Sequence, residues 1–233
     1  MTDNRAESNG DRPARAKRLP RAVRERQILD AAVAVFSQRG YHAASMDEIS
    51  EVAGISKPMI YAYLGAKEEL FAVCIQREAT RLVESIASVV DESLPPREQL
   101  WRGIQGFFSF VAANRDSWRV LHRQAGTQGE PFAAELTAGR RRAIAVIGVL
   151  LEHASQAQGV GALADGQTEA LAAGLVGAGE SLADWWLDHP EETPKAMSAR
   201  LMNLTWLGFG NLVQGNTWRP SQLEEPEELK RSG

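Results

Sequence analysis

The chain has 233 residues, 44% of them hydrophobic and 24% charged, enough apolar material for a large domain or a small one plus a larger, and too much for whole-chain disorder. A single cysteine, Cys74, excludes a disulfide framework or a paired-cysteine metal site within one chain. The net charge of −4 hides an asymmetry: seven basic residues stand against Glu25 alone between Arg12 and Arg26, whereas residues 67–233 carry 16 basic and 22 acidic side chains. A basic amino end on an acidic body suits a DNA-binding arm joined to a regulatory domain, although a solvated tail has the same composition.

Residues 1–19 are polar and expected to be disordered when free, with Arg15, Lys17 and Arg18 able to reach phosphates or a minor groove. No hydrophobic segment in MTDNRAESNGDRP suggests a secretory signal. The longest apolar run, Ala143 to Leu151 with one glycine, is under half of the roughly 20 residues that a membrane span needs. The expectation is a soluble, cytoplasmic protein.

Helix 1 is predicted from about Arg21 to Arg39. Ile28, Ala31, Ala32, Val35 and Phe36 give an amphipathic stripe, and Gly40 closes it with Tyr41 in hydrophobic contact. His42 follows in a loop and reads as a surface residue. Ser45 and Glu48 form a Ser-x-x-Glu capping pattern ahead of Met46, Ile49, Val52 and Ala53. Gly54 supplies a left-handed turn, Ile55 packs inward, and Ser56 caps a further helix that has Pro58 in its first turn. Ile60 and Leu64 anchor that helix, leaving Lys57, Met59, Tyr61 and Tyr63 outward or sideways. A short helix of this character after a glycine turn suits a major groove; by spacing alone it equally suits an αα-corner of a helical core.

Several elements occur here in order: F-x-x-R-G-Y from Phe36, I-x-x-x-A-G-I-S-K from Ile49, and I-Y-x-Y-L-x-x-K-E-x-L from Ile60. With them, Arg21–Leu70 closely resembles the N-terminal DNA-binding domain of the TetR family of bacterial transcriptional regulators. The resemblance implies that Ser45 touches a phosphate at the head of helix 2, and that the Ser56 turn presents Lys57, Pro58 and Met59 to base edges. It further implies backbone contacts from Tyr61 and Tyr63, and a phosphate-binding role for Lys67. Pro58 and Met59 stand where small or hydroxylated residues are usual, so readout would lean on thymine methyls. Ala66 replaces the usual cap of helix 4, a loss of about 1 kcal/mol unless Gly65 or solvent serves. Leu64 takes the place of an aromatic.

Helix 4 is predicted from Lys67 to about Glu92, with Leu70, Phe71, Cys74, Ile75, Leu82, Ile86 and Val89 buried and Pro95-Pro96 closing it. Further helices are expected near 97–114, 116–124, 131–157, 166–188 and 194–214. The resemblance implies a small-molecule pocket in this part, for which Trp101, Phe107, Phe108, Trp118 and Phe132 are the candidates; ordinary core is the alternative for each. Glu135 and Glu180 are candidate acids within it. The helix from Gly166 is rich in alanine and glycine, and the last helix is apolar over more than one face. The resemblance implies that these two pair with their twins in a four-helix dimer interface, with Trp185, Trp186 and Trp206 as candidate anchors.

No enzyme signature appears: the four histidines are scattered, and there is no G-x-S-x-G elbow or P-loop. The prediction is an all-α protein without metal or cofactor. A disordered basic arm (1–19) precedes a three-helix helix-turn-helix domain (20–66), a helical effector-binding and dimerisation domain (67–215) and a tail (216–233). Its expected function is that of a homodimeric, ligand-released repressor on a near-palindromic operator, with an apolar or aromatic effector and no membrane partner. The alternative is a helical ligand-binding or adaptor protein whose helix-turn-helix does not function.

Overall fold

A computed structural model describes residues 20–91, 93–120, 122, 132–157 and 166–213; the predicted arm and tail lie outside them. The described residues are all-helical: α1 Arg21–Ala43, α2 Met46–Ala53, α3 Lys57–Leu64, α4 Lys67–Ala87, α5 Pro96–Ala113, α6 Arg115–Arg119, α7 Phe132–Ala157, α8 Gln167–Leu187 and α9 Pro194–Val213.

The first four helices enclose one core. Ile28, Phe36, Ile49, Ile60, Leu70 and Phe71 are fully buried there, each contributing about 1.5–3 kcal/mol. Tyr41 lies over Phe71, ring centres 4.9 Å apart, as the turn at Gly40 brings it inward. That glycine leaves helical geometry (φ 76°, ψ 163°) inside α1. Ser45 Oγ accepts from Glu48 N at 3.1 Å, but the Glu48 carboxylate accepts from Arg39 instead of closing the capping box. Gly54 is left-handed, φ 63°.

Ala66 heads α4 with no side chain to cap it. The defect is met from the other direction: Glu69 accepts from the Ala66 N–H at 2.7 Å, the reciprocal half of a capping box. Gly65 makes room for that carboxylate. Its φ is 73°, and a Cβ there would stand 1.9 Å from Glu69 Oε2.

Helix α4 ends at Ala87, five residues before the predicted limit. The amides of Val89 and Val90 bond three residues back, to Ile86 and Ala87, tightening the last turn. Asp91 then accepts from the Ser93 amide and hydroxyl, and these bonds hold its carboxyl below the usual range. Pro95 and Pro96 open α5 instead of closing α4, as proline's fixed φ favours at a helix start.

A second core forms among α5, α6, α8 and α9 around Phe108, Trp118, Trp186, Met197 and Leu201. Short α6 serves both: Trp118 lies in the second core, and Val120, just past its end, in the first.

Gly65→Ala is expected to destabilise the protein by about 1–3 kcal/mol, from strained φ and displacement of the Glu69 cap. Urea unfolding checks this; an unchanged midpoint would contradict it.

Candidate nucleic-acid interface and ligand cavity

Helix α3 is pinned by buried Ile60 and half-buried Leu64. Its solvent face consists of Ser56, Pro58, Tyr61 and Ala62, with Tyr61 45% exposed. Ser56 holds the N-cap position without a side-chain cap bond, so its hydroxyl does not serve the helix as expected. Lys57 pairs with Asp47 of α2 at 2.9 Å, an interaction that raises its pKa chiefly through the hydrogen bond. Met59 is half-buried, with Arg24 Nη1 3.6 Å from its sulfur, and Tyr63 is half-buried with the Arg21 guanidinium 5.4 Å from its ring centre. Two arginines of α1 are thus brought alongside α3. The sequence placed them only within a basic stretch and did not name them as site residues, nor Ala62.

The structure gives Lys67 a different immediate task from the one expected. Its ammonium donates to the carbonyls of Tyr41, His42 and Ala44 at 2.8, 3.3 and 3.0 Å and lies 4.7 Å from the centre of the Tyr41 ring. Three donors meet three carbonyls at the end of α1. Lys67 therefore staples α4 to the loop before α2, and a phosphate would have to compete for it.

Behind this surface, α4 to α9 enclose an elongated cavity of about 350 Å³. On α4 it is lined from Ala79 to Ile86, about 10 Å at the rise of a helix, and past the end of that helix by Val90. Its walls are mostly aliphatic, with Leu82 and Ile86 facing Ile104, Ile147 and Leu175. One end carries Trp118, His122, Arg140 and Glu180; towards the other lie Val90, Arg97 and Trp206. Of the five aromatics predicted for a pocket, Phe107 and Trp118 line it. Trp101 and Phe108 instead belong to the second core, because Phe108 is rotated about 100° from Phe107 on the helix. The side chains of Phe132 and Glu135 lie outside the described residues.

The same rotation separates the predicted interface tryptophans. Trp186 is 2% exposed, inside the core of one chain, and donates to the Glu192 carbonyl. Trp185 is 44% exposed and stacks on His189 at 3.8 Å. Trp206 lines the cavity, with Arg97 5.6 Å from its ring centre.

The polar end has defined electrostatics. Trp118 Nε1 donates to Asp184 at 2.8 Å, and its ring stacks on His122 at 3.7 Å. Burial, with Arg140 adding to it and Asp184 opposing, brings the His122 pKa down to about 4, so the imidazole is neutral near pH 7. Arg140 Nη2 meets Glu180 Oε2 at 3.1 Å. Burial nevertheless pushes the Glu180 carboxyl up, Asp184 adding to the rise and Arg140 only partly offsetting it. His122 and Arg140 were not anticipated, although Arg140 falls within the Leu136–Ala143–Ile147 stripe of α7, a position where a charge is conspicuous.

Among the described residues no group of three histidine, cysteine or acidic side chains could hold a metal ion, and no helix is long and apolar enough to cross a membrane.

Residues 28–74 match the family described as bacterial regulatory proteins, tetR family, and residues 96–208 match the tetracyclin repressor-like C-terminal domain. The HTH-type transcriptional activator FasR of Mycolicibacterium smegmatis is 30% identical over 216 residues, 90% of this chain and 95% of that protein. The crystal structure of a TetR-like transcriptional regulator from Rhodococcus sp. RHA1 is 47% identical and superposes with a TM-score of 0.69, over 83% of this chain and 99% of that one. FadR from Bacillus subtilis in complex with stearoyl-CoA shares the fold at 19% identity, with a TM-score of 0.69 over 77% of this chain and 96% of that one.

Because the folded state resists protonating His122 while the unfolded chain accepts the proton near pH 6.5, His122 takes stability away as pH falls from about 6.5 towards 4. In His122→Asn this contribution is expected to vanish, so stability should fall less than in the wild type across that window. Urea midpoints at pH 7, 6 and 5 check it; parallel pH dependences would contradict the placement of His122.

Proposed function

The chain belongs to the TetR family of bacterial transcriptional regulators, and from that premise we propose a homodimer that binds a near-palindromic operator and releases it on binding an elongated apolar effector. As a member of the family it is a DNA-binding regulator, and the relatives described above regulate transcription. The observation that carries the finer reading is the double use of α4. Its first half supplies Leu70, Phe71, Cys74 and Ile75 to the DNA-reading core, and its second half supplies Leu82, Val83 and Ile86 to the cavity wall. A ligand that prefers one setting of α4 by a few kcal/mol thereby shifts the placement of α3.

In each protomer Ser56, Pro58, Met59, Tyr61 and Ala62 meet the major groove, and Ser45, Tyr63, Lys57, Arg21 and Arg24 face the backbone. Pairing two protomers sets the reading helices one turn of DNA apart, about 34–36 Å. Exposed apolar side chains on α7, α8 and α9, namely Val146, Val149, Trp185 and Leu204 at 43, 51, 44 and 68% exposure, support an interface there. The length and apolar walls of the cavity suit an acyl chain, and the fold it shares with stearoyl-CoA-bound FadR supports that class. Repression follows where the operator overlaps a promoter. The M. smegmatis relative is named an activator, and ligand release reverses either mode.

The test is selection of fragments of the source genome by the purified full-length protein at near-physiological salt. One inverted-repeat site should be recovered, and a long-chain acyl effector should abolish its recovery. Sequence-independent binding, or none with the dimer folded, would sink the proposal and favour an adaptor with an inactive helix-turn-helix.

A further inference from the structure

The cavity is apolar along its length but not uncharged. Among the described residues lining it, the charged ones are Arg97, Arg140 and Glu180. His122 is neutral near pH 7, and the Asp184 carboxylate behind the wall is engaged by the Trp118 indole. The neutral indole leaves that carboxylate charged, so Glu180 and Asp184 both stand near Arg140, and Arg97 adds a second positive charge at the far end. Arg97 sits over Trp206 towards the far end. Arg140 sits at the end nearest the DNA-reading domain, next in the chain to Gly139, which packs on Ala79 of α4, and its guanidinium lies against Gly177 of α8.

A ligand that were purely hydrocarbon would gain nothing from an arginine at that end and would leave it facing apolar matter, which is costly. A ligand ending in an anion reverses the balance. The existing partner is replaceable: the Arg140 and Glu180 side chains are 47% and 20% exposed, and an ion pair with one half-exposed member is worth little. Glu180 also yields readily, since burial already pushes its carboxyl towards the protonated form.

We propose that the ligand is an amphiphilic carboxylic acid whose head lies at the Arg140 end of the cavity, where its carboxylate takes the guanidinium from Glu180. This rests on the reading of the cavity as a site for an elongated apolar molecule. The acyl tail runs from there along Leu82 and Ile86 towards Trp206. Glu180 is the internal stand-in that keeps Arg140 paired while the cavity is unliganded. Arg is suited to the exchange because its planar fork accepts either carboxylate with two parallel bonds. The free acid, not an alcohol of the same chain, is then the preferred ligand.

The test uses the full-length protein with two probes of equal chain length, palmitate and hexadecan-1-ol, read by the intrinsic tryptophan fluorescence, to which the cavity-lining Trp118 and Trp206 contribute. Palmitate is expected to bind about tenfold more tightly, the contribution of one charge-assisted hydrogen-bonded pair. Arg140→Met should abolish that preference, and Glu180→Gln, which removes the competitor while keeping its shape, should enlarge it. Equal binding of both probes by the wild type would leave the cavity reading standing and overturn the carboxylate assignment. Loss of the preference in Arg97→Met but not in Arg140→Met would place the head at the opposite end and also overturn it. Binding of neither probe would sink the apolar-ligand reading, and this proposal with it. Should Arg140→Met not fold, Glu180→Gln decides: an enlarged preference supports the assignment and an unchanged one overturns it.

Discussion

Glu78 is a carboxylate with no exposure to solvent, in the middle of α4. Its oxygens are held by Arg77 at 2.6 Å and Arg81 at 2.7 Å. Arg77 reaches on to Asp30 of α1 at 2.7 Å, and Arg81 to Asn114, between α5 and α6, at 2.9 Å. One buried group thus ties the shared helix to the DNA-reading domain on one side and to the cavity-bearing domain on the other. A buried ion pair of this kind is poor evidence of net stability against an apolar replacement, but removing one partner alone typically costs about 3–5 kcal/mol. Its effect here is geometric: it fixes the rotation of α4 about its own axis, and hence which side chains face each core.

The two cores on either side of that joint are built differently. The N-terminal one is closed around aromatic and β-branched side chains, with Cys74 fully buried and its thiol pushed up by burial. The other is closed only in part, around Phe108, Trp118 and Trp186, and beside them the helices stand apart around the cavity. An unfilled apolar void costs contact energy that a ligand restores. Any molecule that filled the cavity would therefore act on the packing of the very helices that border it. Helix α6 adds a second connection, because Trp118 forms the cavity wall while Val120 packs against α1 and α4.

Local chemistry was legible in the chain. The Ser45 cap, the left-handed Gly54, the stripe of α1 and that of α4 as far as Ile75 rest on neighbours within a few residues, whereas Val89, expected to be buried, is 39% exposed. Spacing alone left the helix-turn-helix level with an αα-corner, and the family resemblance separated the two. The Glu69 cap of α4 could also have been found, since Ala66 and Glu69 have the spacing of a capping box with its first partner missing. The bonds of Lys67 to carbonyls 23 to 26 residues away could not, as only the closed fold brings them together. Nor could composition say which member of Phe107-Phe108 or Trp185-Trp186 turns inward; a few tens of degrees of helix rotation decide it, and α5 and α8 are apolar on more than one side. Glu180 was named as a candidate acid, but His122 and Arg140 at the same end were missed, because the segment after α6, α7 and α8 bring the three together only in the folded chain.

The central claim is that occupancy of the cavity changes the spacing of the two reading helices. It is tested most directly by spin labels on exposed Glu51→Cys of α2 in each protomer, outside the surface assigned to DNA; buried Cys74 would stay unlabelled. The distance between them should fall in one narrow distribution on operator DNA and move to a different one when an acyl ligand fills the cavity. A distribution that stays the same with ligand bound and DNA released would contradict the account.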